Sequence, residues 1–176
     1  MMEIETESSS FRDPSGFVFY HEKICYRQIN PAYKETYNYL IDSGLYKRLT
    51  NEELLIPHET KVGSHFQSLN NFLTIQPKCI PFVSYPYEWC FTQLKHAAQT
   101  TLAIMKHALN HGMILKDASA YNIQFYQGKP ILIDTLSFEK YQEGNTVDLI
   151  LNAYKDNVSK NTNKIVQYLK IKKYVF

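Results

Sequence analysis

The stretch from Gly112 to Phe138 constrains this chain most, because turn residues and apolar runs follow one another at fixed, short intervals. Ile123 to Tyr126 is a short apolar segment, and Gln127-Gly128-Lys129 turns the chain. Pro130 opens a return segment, where a missing N–H is tolerated. Ile131-Leu132-Ile133 is a continuous apolar run suited to a buried strand, and it ends on Asp134. Ahead of this hairpin lies a polar loop in which Asp117 and Asn122 stand five positions apart. A loop Asp can accept a proton from an incoming hydroxyl. An Asn and a second Asp can hold magnesium against the phosphates of a nucleotide. The same residue types also cap turns, so a hairpin with purely structural polar residues stays open as the other reading.

Composition narrows the classes. A chain of 176 residues with 44% apolar and 20% charged residues supports one ordinary core, and fourteen Tyr with ten Phe argue against disorder over most of its length. A net charge of +2 gives no electrostatic footprint for nucleic acid. Cys25, Cys79 and Cys90 are odd in number and widely spaced, neither a disulfide framework nor a zinc pattern, which fits a reducing compartment. The acidic, Ser-rich start is no signal peptide, and no apolar run is long enough for a bilayer. The expectation is a cytoplasmic protein that engages neither nucleic acid nor membrane.

Along the chain, residues 1–10 read as a disordered terminus. Asp13-Pro14-Ser15-Gly16 is a turn signal before Phe17 to Tyr20, and a polar break at 21–23 leads into Ile24 to Ile29, a hairpin by pattern. Asn30-Pro31 predicts a helix start. Tyr33, Tyr37, Leu40 and Ile41 share one helical face, and Gly44 stops it. Thr50 and Glu53 have the spacing of a capping box for a further short helix. Strands are expected around Leu54–Pro57, Phe72–Ile75 and Ile80–Ser84, with a bend at Tyr85-Pro86-Tyr87-Glu88-Trp89. Phe91 to His111 is the clearest helix, with an apolar stripe of Leu94, Ala98, Leu102, Met105 and Leu109 and a stop at Gly112. His107 and His111 are i, i+4 but lack a third ligand or an intervening Glu, so they do not make a zinc motif. Residues 155–176 carry six Lys against Asp156, a pattern most often seen in a solvated basic helix or tail.

The spacing of Asp117, Asn122 and Asp134 resembles the catalytic-loop and metal-site segment of the protein-kinase-like fold, in its RIO-type and aminoglycoside-phosphotransferase-type forms. That resemblance implies an α+β architecture. A small β-rich lobe (11–84) would sit over a partial helical lobe (85–144) that carries the catalytic-loop hairpin, with a basic segment at 145–176. It also implies ATP and magnesium as cofactors, Asp117 as the acceptor-orienting residue, and Asn122 and Asp134 as metal and nucleotide ligands. The segment 85–89 would be the hinge. In that arrangement Asp134 faces a cleft with little protein to pair it, so Asp134→Asn would be neutral or mildly stabilising without metal. The departures are plain. Leu115-Lys116 replaces the expected His, Thr135-Leu136 replaces Phe-Gly, and no Gly-rich phosphate loop is visible beyond Ser15-Gly16. No Val-Ala-Ile-Lys strand is present, and Arg27 and Lys61 are the only plausible phosphate-binding cations.

A wider resemblance runs from Phe11 to Gly144. It is carried by Phe11-Arg12-Asp13-Pro14-Ser15-Gly16-Phe17, Tyr26-Arg27-Gln28-Ile29, Ile80 to Trp89, Lys116 to Asn122 and Ile133 to Phe138. The whole stretch is similar to the kinase-like N-terminal region of bacterial proteins described as class I S-adenosylmethionine-dependent methyltransferases. In those proteins a methyltransferase domain follows. Here no Gly-x-Gly follows a strand, so the cofactor loop of such a domain is missing from this sequence. Three functions follow as expectations. One is phosphoryl transfer from magnesium-ATP to a hydroxyl acceptor. Another is a non-catalytic binding or regulatory module serving a methyltransferase domain or a neighbouring protein. The third is a truncated remnant without activity.

Overall fold

The computed structural model describes residues 5–6, 13–61 and 71–142. Its architecture is mixed α+β: an antiparallel five-stranded sheet, three helices and two small antiparallel ribbons. The expected basic segment at 145–176 lies outside the described residues.

The sheet begins with β1 (Glu5–Thr6), β2 (Gly16–His21) and β3 (Ile24–Ile29). Part of the terminus expected to be disordered is thus paired, with Glu5 opposite Tyr20. Glu22 and Lys23 both take positive φ, 51° and 64°, which is the turn whose twist matches a two-residue hairpin. With β4 (His58–Lys61) and β5 (Leu73–Pro77) the order becomes β1-β2-β3-β5-β4. Two strand expectations shift. Residues 54–57 add only a parallel bridge, Leu55 to Leu132, and the strand proper starts at His58. Ile80–Ser84 forms no strand at all. Pro81 removes a donor, and the Ser84 N–H and C=O are taken by the Gln124 side chain at 2.9 and 3.0 Å.

Pro31 opens a 3-10 turn that runs into α1 (Lys34–Asp42), and Gly44 (φ 82°) separates it from α2 (Leu45–Asn51). The Thr50–Glu53 pair therefore lies at the end of a helix, not at its start: Thr50 Oγ1 donates back to the Tyr46 carbonyl at 2.9 Å. Helix α3 (Phe91–Asn110) has the predicted extent, but its buried face is rotated from the predicted stripe. Leu94, Ala97, Ala98, Thr101, Ile104, Met105 and Ala108 are buried, whereas Leu109 is exposed. After Gly112 come β6 (Met113–Leu115), β7 (Ile123–Tyr126), β8 (Lys129–Leu132) and β9 (Phe138–Lys140). β7 pairs with β8 and β6 with β9, so the predicted hairpin forms, but its turn is Gln127-Gly128 alone, and Lys129, expected in the turn, opens β8 opposite Tyr126.

The main core joins α2, α3 and the ribbons around Leu49, Leu55, Ile104, Met113, Leu115 and Phe138. Each such fully buried side chain contributes about 1.5–3 kcal/mol. A second cluster (Ile29, Tyr33, Tyr37, Ile75, Leu136) plugs the turn after β8 into the face of the sheet. That plug brings Asp134 to the sheet.

Candidate functional site

Asp134 sits two residues past β8, and both of its carboxylate oxygens have partners. Oδ1 accepts the Leu136 N–H at 2.9 Å and faces Arg27 Nη1 at 2.9 Å; Oδ2 accepts the Ser137 hydroxyl at 2.8 Å. Arg27 reaches it from β3, and its Nη2 also meets Asp13 Oδ2 at 3.2 Å. Asp13 Oδ1 accepts the Ser15 N–H at 2.9 Å and lies 3.9 Å from Lys116 Nζ. Lys116 Nζ donates to Ser15 Oγ at 2.6 Å and stands 5.0 Å from the centre of the Tyr33 ring. Arg27 and Lys116 thus face Asp13 and Asp134, and the charges balance. Tyr33 closes the group: its hydroxyl donates to the Phe138 carbonyl at 2.6 Å. Burial, with the nearby Asp134 charge, pushes the phenol well above its ordinary range.

Of the three predicted site residues, two are brought together. Asn122 Nδ2 donates to Ser137 Oγ at 3.3 Å, and Ser137 donates to Asp134, so the hydroxyl bridges them. Asp117 lies on the adjoining loop, where the Lys116 N–H donates to the Ser137 carbonyl at 2.8 Å. Its own carboxylate turns back to accept the Ser119 N–H at 2.9 Å, and the residue is exposed. The expectation of an unpaired Asp134 is corrected. It caps a 3-10 turn (Thr135–Ser137) and is ion-paired, so its replacement should destabilise the protein rather than relieve repulsion.

Magnesium prefers near-octahedral anionic oxygen ligands. Asp134 Oδ1 already has two partners and Oδ2 has one, and the carboxylate is neutralised by a guanidinium. Asn122 adds only an amide oxygen. Among the described residues no group of three or more His, Cys, Asp or Glu is arranged to hold a metal. As arranged, Arg27 and the Leu136 N–H take Oδ1, so an ion held by Asp134 and Asn122 would have Oδ2 and the Asn122 amide oxygen as its protein ligands. His107 and His111 are spent locally, on Glu52 at 2.9 Å and on the His107 carbonyl at 2.7 Å.

The hinge-like segment is a 3-10 turn (Pro86–Glu88) closed by the Tyr85 N–H donating to Glu88 Oε2 at 2.7 Å. Trp89 is buried, packs edge-on against Phe125 and donates Nε1–H to Ser84 Oγ at 2.8 Å. Tyr85 and Tyr87 stack in the open.

His58, unremarked in the sequence, ties the sheet to both small helices. Its ring lies 2.9 Å from the Tyr37 hydroxyl and 3.5 Å from Thr135 Oγ1, next to Asp134, and Tyr46 receives its backbone N–H at 2.9 Å. Burial pushes its pKa down to about 4. The unfolded chain therefore binds this proton first as pH falls, so stability is full above about pH 6.5 and is lost toward pH 4. At about 1.36 kcal/mol per unit the whole loss is roughly 3 kcal/mol. Urea midpoints at neutral pH and at about pH 4.5 should differ accordingly, and His58→Gln should flatten that difference.

No protein-family model matches this chain. The chain is similar to Nodulation protein NoeA of Rhizobium meliloti (strain 1021), with 32% identity over 139 residues. The match covers 78% of this chain and 29% of that protein, so the chain spans under a third of the relative's length.

Proposed function

We propose that this chain is a non-catalytic, kinase-like module that serves a longer protein or a neighbouring one as a binding or regulatory domain. The observation that carries this reading is the 2.9 Å pair between Arg27 and Asp134. A protein cation occupies the carboxylate that a nucleotide's magnesium would need, and the pair joins the sheet to the loop after β8. The longer relative supports the idea of a module, because its length leaves room for other domains beside the matched part. The phosphoryl-transfer reading retains one observation in its favour: Asp117 is exposed beside the cluster, where a hydroxyl acceptor could meet it.

Thermal unfolding with millimolar ATP and magnesium separates the two. A ligand at about a hundredfold over Kd stabilises the native state by about 2.7 kcal/mol, which is roughly 5–10 °C for a chain of this size. We expect no shift beyond about 1 °C, with magnesium or manganese, because both would compete with Arg27. A metal-dependent rise of several degrees that disappears in Asp134→Asn would replace the module with a nucleotide-binding enzyme.

A further inference from the structure

A cleft away from the Asp134 cluster lies between the end of α2 and the turn of the β7–β8 hairpin. Leu55, Ile56 and Ile131 floor this cleft of about 190 Å³, with the Tyr126 ring as one wall. The floor residues are buried, yet the rim is charged. Lys129 Nζ meets Glu53 Oε2 at 2.5 Å across the mouth, and Lys78 Nζ stands 5.0 Å over the Tyr126 ring. Lys129 and, less strongly, Lys78 hold the Glu53 carboxylate below its usual range, so one carboxylate faces two ammonium groups. The rim carries a surplus positive charge over an apolar floor.

Glu53 stands where its backbone disfavours it. It follows α2 in the left-handed conformation (φ 57°), with its N–H on the Thr50 carbonyl at 3.2 Å and the Leu54 N–H on the Leu49 carbonyl at 2.9 Å. This is the helix-ending motif in which glycine is usual. A glutamate there accepts strain and in return aims a carboxylate at Lys129. The Glu53 carboxylate thus lies against the Lys129 ammonium at the mouth of the cleft.

We infer that this cleft binds a small organic anion, one carboxylate or phosphate on a compact apolar body, with Lys78 and Lys129 holding the anion and the body resting on Ile131 and the Tyr126 ring. At about 190 Å³, below the roughly 300 Å³ at which ordinary ligand pockets start, the cleft encloses no more than a single ring with its head group. The cleft shares no residue with the Asp134 cluster, so the inference stands or falls independently of the proposed function.

The test is an amide NMR titration of the full chain with phenyl phosphate as the probe. Inorganic phosphate supplies the charge alone and benzyl alcohol the body alone. Benzoate separates a carboxylate from a phosphate preference. Saturable shifts should centre on residues 53–57, 78 and 126–131, and both partial probes should bind at least about tenfold more weakly. Lys78→Met should weaken phenyl phosphate about tenfold, and Glu53→Gln, by removing the internal competitor, should tighten it. Lys78, Lys129 and Glu53 are exposed, so the variants fold. The inference is overturned by absent saturation with both phenyl phosphate and benzoate, by equal binding of inorganic phosphate, by indifference to Lys78→Met, or by shifts centred on Arg27 and Lys116.

Discussion

Arg27→Met should lower the unfolding free energy by about 3 kcal/mol, read as a fall in urea midpoint at unchanged slope. The side chains of Arg27 and Asp134 are only 13% and 14% exposed, so water replaces little of what the substitution removes. Asp134 loses its countercharge while keeping the Leu136 N–H and the Ser137 hydroxyl as donors, and Asp13 loses a partner on the other side. Breaking a fully buried pair costs about 3–5 kcal/mol, and partial exposure places this one at the lower end. Arg27→Lys should cost less but not nothing. A single ammonium cannot span two carboxylates the way the guanidinium fork does, so about 1–2 kcal/mol is expected.

Gly16→Ala should be at least as damaging, about 4 kcal/mol or more, and should show as loss of soluble folded protein. Gly16 pairs with Ile29 at the start of β2 and holds φ at +157°. A Cβ built there falls 1.9 Å from the Gln28 carbonyl oxygen and 3.0 Å from Leu136 Cδ1. The first is backbone of the adjoining strand, and the second belongs to the residue that plugs the turn after Asp134 into the sheet. Neither can retreat without opening the contact that places Asp134 beside Arg27. Gly128→Ala is the control. It also sits at positive φ (+78°) but meets nothing within 4 Å, so only the backbone preference of about 1–2 kcal/mol is lost.

The hairpins were legible because turn chemistry is local. Gln127-Gly128-Lys129 and the polar break at 21–23 sit between apolar runs, and both turns form there, each one residue shorter than read, since His21 belongs to β2 and Lys129 to β8. The extent of α3 was legible for the same reason, from its periodicity and Gly112. Its buried face was not, because the larger side chains Leu102 and Leu109 suggested a stripe, while Ala97, Thr101, Ile104 and Ala108 make the close contact. The segment 80–84 looked like a strand from its apolar residues, but a strand needs a partner, and Gln124 caps it instead. Of the candidate site, the Asn122–Asp134 association was readable from spacing. The identity of Asp134's partner was not. Arg27 carries no motif, and the contact depends on how Leu136 docks against Ile29 and Ile75, which pattern alone does not encode.

Arg27 is the charged partner of Asp134, at 2.9 Å, and a double-mutant cycle measures that pairing directly. Arg27→Met, Asp134→Asn and the double variant are unfolded in urea with and without magnesium-ATP. The prediction is a coupling energy of about 2 kcal/mol between the two positions, the same in both conditions, with the double variant more stable than the sum of the single losses allows. A coupling below about 0.5 kcal/mol, or one that magnesium-ATP abolishes while stabilising the wild-type chain, would contradict it.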